Sequence, residues 1–422
     1  MKVFVLNCGS SSVKYQLIDT DLEKMEKQQE VVLARGSVEK IGLVPSSSSY
    51  QVVQENPLFL PQRQSKLPPP EKETVEIVDH IAAIRHAIKC LTNEKTGVMR
   101  DAAEIQAVGH RMVHGGEKFK KSHVIDKEVL RNIQECVEFA PLHNPHNLRG
   151  YYATYDLFPN IPQVAVFDTA FHQTMPPYAY LYGLPYAIYQ KHGIRRYGFH
   201  GSSHRYVTYR VGQLCGVTPD QLRIITVHLG NGCSMTAVDH GKSIDTTMGF
   251  TPLEGLLMGT RTGDLDASVP LTLMVKEEIS VAEVNAMMNK HSGLYGISGV
   301  SNDMREVIMA ATEQKRDRAK IAIDMFCYRI TKYAGAYAAV MGGLDHVVFT
   351  GGIGENSPLI RDLSMRNLEF LGIEVDSQLN KMENMVEGKI SKGKVGVWVV
   401  PTNEELVIAR DTIRAIQGVN CS

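Results

Sequence analysis

The stretch from Met1 to Lys14, MKVFVLNCGSSSVK, decides the fold because it predicts a buried strand that runs into a polar turn. Val3 to Leu6 form a short apolar run with β-branched residues, which is typical of a strand covered on both faces. Asn7 and the segment Gly9 to Ser12 then present backbone N–H groups and hydroxyls, and Lys14 adds a positive charge. The turn is either an ordinary hairpin or an anion-binding site. It is not a Walker A loop, because the sequence contains no G-x-x-x-x-G-K-S/T motif.

The second half of the chain repeats this pattern. Ile224 to Leu229 form an apolar strand, and Gly230 to Ser234 form a small polar turn. Met235 to Ile244 return as a strand that is interrupted at Asp239 to Lys242. A single hairpin with Gly and Asn in its turn is common in proteins. Two of them, one in each half, predict an internal duplication in which two phosphate-binding hairpins face each other across a cleft.

Length and composition exclude several classes of protein. A chain of 422 residues is too long for one core and predicts two domains. Its 45 Lys and Arg balance 46 Asp and Glu, so no global field favours nucleic acid or a membrane surface as a partner. The seven cysteines contain no C-x-x-C pair, which favours reduced thiols. No apolar run approaches the ~20 residues of a membrane span, and the first strand is shorter than a secretory signal, so we expect a cytoplasmic protein.

The pattern along the rest of the chain predicts an α/β protein. Val13 to Asp19 and Val31 to Val38 continue the opening strand as an antiparallel meander. The Ser- and Pro-rich segment Pro45 to Lys72 predicts an exposed loop or a strand-edge excursion. Glu73 to Leu91 has helical spacing of apolar residues, with its histidines on the surface. Further strands are predicted at Ile105–His114, Val164–Phe167 and Val395–Val400, and a strand followed by a diglycine turn is predicted at His346–Asn356. Helices are predicted at Val129–Ala140, Val281–Asn289, Arg318–Val340 and from Glu405 to about Ile416.

Charged side chains follow several predicted strands. Arg111 closes one apolar segment, and Asp168 follows the buried run VAVF. Strand ends of this kind face ligand crevices in α/β proteins. Arg261 lies in a loop between two glycines, which favours ligand contact. Glu404 follows the last strand, and together with Asp168 it could hold a magnesium ion through carboxylate oxygens.

Each candidate also has a plainer interpretation. A single arginine is usually a partner in a surface ion pair. His143 and His200 lie in Pro- or Gly-flanked loops, but a lone histidine is more often a packing residue than a catalyst. Cys8 and Cys233 lie in the two turns and could be nucleophiles. No His or Asn partner pattern accompanies these cysteines, and small buried thiols are common.

Nine segments of the sequence resemble the acetate kinase family. They occur in family order from the first residues to about residue 410: VFVLNCGSSSVK, GHRMVHGGEKF, APLHNP, VAVFDTAFHQTMP, RRYGFHGSSHRYV, TVHLGNGCSM, FTPLEGLLMGTRTGDLD, VFTGGIGENS and PTNEELVIAR. The resemblance implies an α/β protein with the duplicated ribonuclease H-like (actin-like ATPase) fold and two domains around a central cleft. It implies an N-terminal domain of residues 1–171 closed by residues 405–422, and a nucleotide-binding domain of residues 172–404.

The same resemblance implies a homodimer that transfers the γ-phosphoryl of ATP reversibly to acetate, with Mg²⁺ or possible Mn²⁺, giving acetyl phosphate and ADP. The implied catalytic residues are Arg111, His143, Asp168, His200 and Arg261, and the implied metal ligands are Asn7, Asp168 and Glu404. The implied acetate-binding residues are Arg111, Val113, Leu142, Phe199 and Pro252. The implied nucleotide-binding residues are Lys14, His228, Gly230, Asn231, Gly232, Asp303, Arg305, Gly351, Gly352, Ile353, Gly354 and Asn356.

Direct in-line transfer needs little covalent chemistry from these residues. Acetate is already ionised at neutral pH and needs no general base. Arginine suits both carboxylate and phosphoryl oxygens because its planar fork binds them bidentately. Two other functions stay open. A propionate or butyrate kinase of the same fold differs by a methylene or two, each worth ~1–3 kcal/mol in an apolar pocket. The second alternative function is a non-enzymatic nucleotide switch. The paired Arg111 and Arg261 argue against this alternative, because a switch needs no carboxylate site.

Overall fold

The computed structural model describes residues 1–58, 67–141, 143–382 and 386–419. The chain divides into two compact units. The first unit is Met1–Phe171 together with Asn403–Ser422, and the second is His172–Thr402. Each unit contains its own sheet, so each is described by itself.

The first unit is built on one eight-stranded sheet. Its strands are β1 (Lys2–Cys8), β2 (Ser12–Asp19), β3 (Val31–Glu39), β4 (Ser46–Glu55), β5 (Glu71–Val75), β6 (Ala107–Met112), β7 (His123–Val124) and β8 (Gln163–Phe167). They lie in the order β5-β4-β3-β2-β1-β6-β8-β7. Strands β1 to β5 form an antiparallel meander, whereas β6 pairs in parallel with both β1 and β8. The carboxyl ends of β1, β6 and β8 therefore lie at one edge of the sheet.

Helices cover both faces of this sheet. Phe4 of β1 packs on one face in a cluster with helices His80–Leu91 and Asn144–Leu157. The next residue, Val5, points to the other face and packs with the C-terminal helix Glu404–Ile416. Double coverage explains why the first strand is apolar at consecutive positions rather than at alternate ones. The other α-helices in the described part of this unit are Leu22–Glu26 and Lys127–Glu135.

The expectation of an exposed loop or strand-edge excursion at residues 45–72 is wrong for Ser46–Glu55, which forms strand β4 between β3 and β5. Ser46, Ser48 and Tyr50 alternate as buried residues along this strand. Backbone hydrogen bonds to strands on both sides stabilise it without a run of apolar side chains. Residues 59–66 of the same segment lie outside the described part of the chain.

The predicted helix at residues 73–91 is correct only in its second half. The helix begins at His80, where the Asp79 side chain accepts the Ala82 backbone N–H and caps it. Glu71–Val75 instead forms the edge strand β5. The expectation that His80 is a surface residue is also wrong, since it is buried and its Nε2 lies 2.7 Å from the backbone oxygen of Gly9.

The second unit is built on a six-stranded sheet. Its strands are β9 (Arg223–Leu229), β10 (Cys233–Asp239), β11 (Lys242–Thr246), β12 (His346–Thr350), β13 (Gly388–Lys389) and β14 (Gly396–Val399). Its α-helices are Pro177–Tyr180, Tyr186–His192, Gly201–Cys215, Ser268–Lys276, Val281–Lys290, Gly293–Ser298, Met304–Thr312, Asp317–Met341, Gly351–Asn356 and Pro358–Met365. The strand, turn and interrupted return strand predicted at residues 224–244 are confirmed. Gly351–Asn356 forms a short helix instead of the predicted diglycine turn.

The two sheets share one topology, which confirms the predicted duplication. In the first sheet the order is β3-β2-β1-β6-β8, and in the second it is β11-β10-β9-β12-β14. Each series has three antiparallel strands followed by two that run parallel to the first. Among the described helices, none combines the length and apolar character needed to cross a bilayer.

Candidate active site

In the first unit, the ends of β6 and β8 bring Arg111 and Asp168 together. Arg111 Nε lies 3.0 Å from Asp168 Oδ1, and its Nη2 lies 2.7 Å from Oδ2, so the contact is bidentate. Asp168 is buried, and its backbone N–H donates to the Met112 oxygen, which fixes the carboxylate at the strand end. Arg111 does form an ion pair, as its plainer interpretation predicts, but the carboxylate that it binds is buried and not at the surface.

Glu404 adds a second negative charge beside the same guanidinium. It begins the C-terminal helix, and its Oε2 lies 3.7 Å from Arg111 Nε. Burial acts to lower the pKa of Arg111, but Asp168 and Glu404 outweigh it and raise this pKa above its ordinary value. Burial raises the pKa of Asp168, Arg111 lowers it and Glu404 raises it further. Two acids around one base leave this group net negative, which favours an added cation.

The other predicted site residues of the first unit lie at different positions relative to the Arg111–Asp168 pair. Asn7 is the last residue but one of β1, which lies beside β6, and it faces Lys14 across the β1–β2 hairpin. His143 precedes helix Asn144–Leu157, and its charge lowers the pKa of Asp168, which places it within electrostatic reach of that carboxylate. Val113 follows β6 immediately. Leu142 lies outside the described residues.

Sequence reasoning missed two residues in this group. Asn147 is buried, accepts the Val113 backbone N–H at 3.0 Å and donates to the Cys8 backbone oxygen at 2.8 Å, so it ties the ends of β6 and β1 together. It lies in the same PLHNPHN segment from which only His143 and Leu142 were selected. Glu405 is the other: burial and Glu404 raise its pKa, and Arg111 and Lys14 act against them.

In the second unit, Arg261 lies beside the turn between β9 and β10. Its Nη1 donates to the Pro252 backbone oxygen at 3.0 Å. A Cβ atom built on Gly232 would lie 3.4 Å from Arg261 Nη1 and 3.5 Å from His200 Nε2, so this glycine separates the two side chains. Burial lowers the pKa of Arg261, and no carboxylate among the described residues forms an ion pair with it.

His200 is held by a chain of buried hydrogen bonds. It adopts a left-handed backbone conformation, φ 56°, just before helix Gly201–Cys215. Its Nδ1 lies 2.8 Å from Ser234 Oγ, which in turn lies 2.7 Å from His204 Nε2. His204 Nδ1 lies 2.7 Å from Thr226 Oγ1. The imidazole of His228 stacks on His200 at 4.3 Å between ring centres.

The donor and the acceptor of each hydrogen bond in this chain indicate which imidazole nitrogens carry a proton. Thr226 Oγ1 donates to the Thr236 backbone oxygen, so it accepts from His204 Nδ1. Burial lowers the pKa of His204 well below its ordinary value, and His172 and His228 lower it further, so its ring is neutral with a bare Nε2. Ser234 therefore donates to His204 and accepts from His200 Nδ1. His200 Nε2 carries a proton only when the His200 ring is an imidazolium.

A cavity of about 640 Å³ brings together most of the predicted nucleotide-binding residues. Its lining includes Gly230, Asn231, Asp303, Arg305, Gly352, Ile353 and Asn356. Asn302, which sequence reasoning missed, also lines it and donates to Asn231 Oδ1 at 3.0 Å. Asp303 caps helix Met304–Thr312 and forms a bidentate ion pair with the exposed Arg305.

Four other predicted residues support this region or lie beside it. Gly351 has φ +77°, and a Cβ there would lie 2.8 Å from the Leu229 backbone oxygen, so only glycine fits. Gly354 is buried against Phe349. His228 Nδ1 lies 2.8 Å from Ser203 Oγ. Phe199 is buried, and its backbone oxygen lies 2.9 Å from His172 Nε2.

The structure argues against the two turn cysteines as nucleophiles. Cys8 and Cys233 are buried, at 4% and 0% exposure. Burial raises the pKa of each thiol to about 12, so neither forms a thiolate at neutral pH.

Comparison with known proteins gives the family. The model of the acetokinase family matches residues 2–410. The chain belongs to the acetokinase family. The acetate kinase of Carboxydothermus hydrogenoformans is 51% identical over 418 residues, 99% of this chain and 99% of that protein. The acetate kinase of Symbiobacterium thermophilum is 51% identical over 421 residues, 99% of this chain and 100% of that protein.

Solved structures of acetokinase-family members and related kinases share the fold over nearly the whole chain. The crystal structure of Porphyromonas gingivalis acetate kinase has a TM-score of 0.88 at 46% identity, and covers 98% of this chain and 99% of that one. A propionate kinase from Francisella tularensis has a TM-score of 0.86 at 39% identity, and covers 99% and 100%. The expected α/β fold is confirmed, and membership of an acetokinase family removes the non-enzymatic switch as an alternative.

Proposed function

We propose that this chain is an acetate kinase, which transfers the γ-phosphoryl group of ATP reversibly to acetate and forms acetyl phosphate and ADP. The observation that carries the proposal is the Arg261 guanidinium beside Gly232 and His200, which forms no ion pair with any described residue. A largely buried cation without an acidic partner is costly unless an anion binds to it. The transferring phosphoryl group is such an anion.

Arginines and a histidine supply the charge that this reaction needs. Arg111 uses Nε and Nη2 on Asp168, which leaves its Nη1 donors for the acetate carboxylate. Arg261 stabilises the equatorial oxygens of the phosphoryl group during in-line transfer. His200, as an imidazolium, donates from Nε2 to the same group. We assign His143 to acetate binding, with Val113, Leu142, Phe199 and Pro252 around the methyl group.

The residues at the strand ends of the first unit suit a magnesium ion. Asp168 and Glu404 both lie against one guanidinium, and Asn7 lies near the end of the neighbouring strand β1. Mg²⁺ prefers a few carboxylate or amide oxygens completed by phosphate and water, and Mn²⁺ accepts the same donor types. We assign Asn7, Asp168 and Glu404 as the residues that hold it. A bound cation would neutralise charge on the phosphate oxygens.

The cavity of the second unit suits the nucleotide. We assign Asp303 and Arg305 to the adenosine portion, and the turn Gly230 to Gly232 to the phosphates. Lys14, His228 and the segment Gly351 to Gly354, with Asn356, complete the proposed nucleotide set. ATP and ADP are substrates here rather than resident cofactors.

A rate comparison across carboxylates tests this function. Purified protein with ATP and Mg²⁺ is assayed for ADP with acetate, propionate, butyrate or no acid. We expect kcat/KM to be highest for acetate and to fall by roughly tenfold for each added methylene. The similarity to a propionate kinase makes that activity the second candidate, and a higher kcat/KM on propionate would assign it instead.

The hydrogen-bond chain behind His200 leads to a prediction for Ser234→Ala. Loss of the acceptor for His200 Nδ1–H destabilises the imidazolium, so we expect kcat to fall roughly tenfold, as for a lost buried hydrogen bond of about 1–3 kcal/mol. The basic limb of the pH–rate profile should move to lower pH, because the protonated form loses stabilisation. If Ser234→Ala only disturbed packing, kcat would fall but the basic limb of the pH–rate profile would not move.

Ser243→Ala is the matched control for Ser234→Ala. Ser243 is also buried, and its hydroxyl also lies 2.9 Å from a histidine nitrogen, Nδ1 of His172. We expect its pH–rate profile to match that of the unmodified protein. An unchanged profile in Ser234→Ala as well would contradict the assigned proton positions.

We also propose a homodimer in the cytoplasm. Helix Ser268–Lys276 has no buried residue, although it contains Leu271 at 65% and Val275 at 79% exposure. Exposed apolar residues on one helix favour contact with a second copy. Light scattering should then give a mass of twice 46.9 kDa, and Val275→Asp should lower it.

A further inference from the structure

Away from the residues assigned to phosphoryl transfer, three potential metal ligands converge in the first unit. Glu73 lies on the edge strand β5, and His86 and Cys90 lie one turn apart on helix His80–Leu91. One ligand atom from each of the three lies within 4.8 Å of the other two, and no other such group of three occurs among the described residues. We propose that Glu73, His86 and Cys90 form a binding site for a divalent cation of the zinc class.

The imidazole geometry supports a cation rather than a set of hydrogen bonds. His86 Nε2 lies 3.0 Å from Glu73 Oε1, 2.9 Å from Ser48 Oγ and 3.6 Å from Cys90 Sγ. A ring nitrogen has either one proton to donate or one lone pair that accepts, so it cannot form a full hydrogen bond with all three neighbours at once. A cation bound to the lone pair of His86 Nε2 could also be reached by the ligand atoms of Glu73 and Cys90, which lie within 4.8 Å of that nitrogen and of each other.

The separation between Cys90 Sγ and His86 Nε2 also fits tetrahedral zinc. With Zn–S near 2.3 Å and Zn–N and Zn–O near 2.1 Å, a tetrahedral site needs about 3.6 Å between S and N and about 3.4 Å between N and O. The observed separation between S and N is 3.6 Å, which matches, whereas that between N and O is 3.0 Å and would lengthen if the exposed Glu73 side chain turned to bind the ion. Sulfur, imidazole and carboxylate together are typical zinc ligands and do not suit magnesium.

Two neighbouring hydroxyl groups, of Ser48 and Tyr15, lie where they can hydrogen-bond to the proposed ligands. Ser48 pairs directly with Glu73 across β4 and β5, which fixes its hydroxyl beside the carboxylate. Tyr15 is buried, and its hydroxyl interacts with the Cys90 thiol. Burial raises the pKa of Tyr15, and the nearby Cys90 and Glu73 raise it further, so this hydroxyl lies beside the proposed ligands. It can donate to a metal-bound Cys90 thiolate.

Metal titration of the full-length protein tests the site. Chelator-treated protein, in excess Mg²⁺ to saturate the carboxylate group at Arg111, is titrated with Zn²⁺ by calorimetry and with Co²⁺ by absorption. We expect one equivalent to bind, with a thiolate-to-cobalt charge-transfer band. Cys90→Ser should abolish the band, and Tyr15→Phe should weaken zinc binding by about tenfold.

Two further variants keep the test decisive. Glu73 is exposed, so Glu73→Gln should fold normally and should weaken Zn²⁺ binding by at least about tenfold. Cys215→Ser is the matched control, since Cys215 Sγ lies 3.5 Å from His346 Nε2 but no third ligand completes that pair among the described residues. It should keep both the stoichiometry and the band. Equal zinc affinity in Glu73→Gln, or no zinc binding by the unmodified protein, would overturn the proposal.

Discussion

Arg261→Ala should lower kcat/KM for acetate-dependent ADP formation by about 10²- to 10³-fold and leave the protein folded. A lost charged donor to the transition state costs about 3–4 kcal/mol, by analogy with a removed oxyanion-hole group. Folding should survive because Arg261 has no ion pair among the described residues, so its removal leaves no buried carboxylate uncompensated. The coupled ADP assay measures the rate, and urea unfolding measures the stability.

Arg366→Ala is the control for this variant. Arg366 belongs to the same unit, and its guanidinium forms an exposed ion pair with Asp362 at 2.9 Å. Exposed pairs of this kind contribute little to stability, so we expect kcat/KM within about twofold of the unmodified enzyme. Turnover of Arg261→Ala at the same level as Arg366→Ala would remove Arg261 from the proposed mechanism.

Arg111→Ala should damage both activity and stability. Its guanidinium binds Asp168 bidentately, and removal of one partner leaves a buried charge uncompensated, which costs about 3–5 kcal/mol of unfolding free energy. Turnover should also fall by orders of magnitude, because the acetate carboxylate loses its cation. Urea unfolding and the coupled ADP assay separate the two effects.

The double variant Arg111→Ala, Asp168→Ala distinguishes structural from catalytic loss. Without Asp168 there is no orphaned carboxylate at β8, so most of the lost stability should return, whereas turnover should stay low. Arg111→Lys serves the same purpose if the single alanine variant does not fold, since it keeps the charge and loses the bidentate fork. Full activity in Arg111→Lys would show that only charge is needed there.

Sequence patterns predicted the parts of the fold that depend on local apolar periodicity. The two strand–turn–strand segments and the placement of Arg111 and Asp168 at strand ends follow from apolar runs bounded by small polar residues. Strand β4 was not predictable in this way, because its serines are stabilised by hydrogen-bonded neighbours on both sides, which are distant in sequence. Tertiary pairing therefore overrode the local pattern.

The same limit applies to the side chains around the proposed sites. Ser234 and His204 lie on different elements, and only the tertiary structure joins them to His200. The apolar spacing predicts a helix at Glu73, whereas Glu73 lies on the edge strand that faces His86, so the sequence pattern does not reveal the three-ligand cluster. Side-chain groups built from separate elements leave no periodic signal along the chain.

The stoichiometry of the products shows whether this protein phosphorylates acetate. Purified protein is incubated with ATP and Mg²⁺ over a range of acetate concentrations, ADP is measured by the coupled assay, and acyl phosphate is trapped with hydroxylamine. We expect ADP release to rise with acetate to saturation, with one acetyl phosphate formed for each ADP. ADP release that is independent of acetate, or that leaves no acyl phosphate, would contradict it.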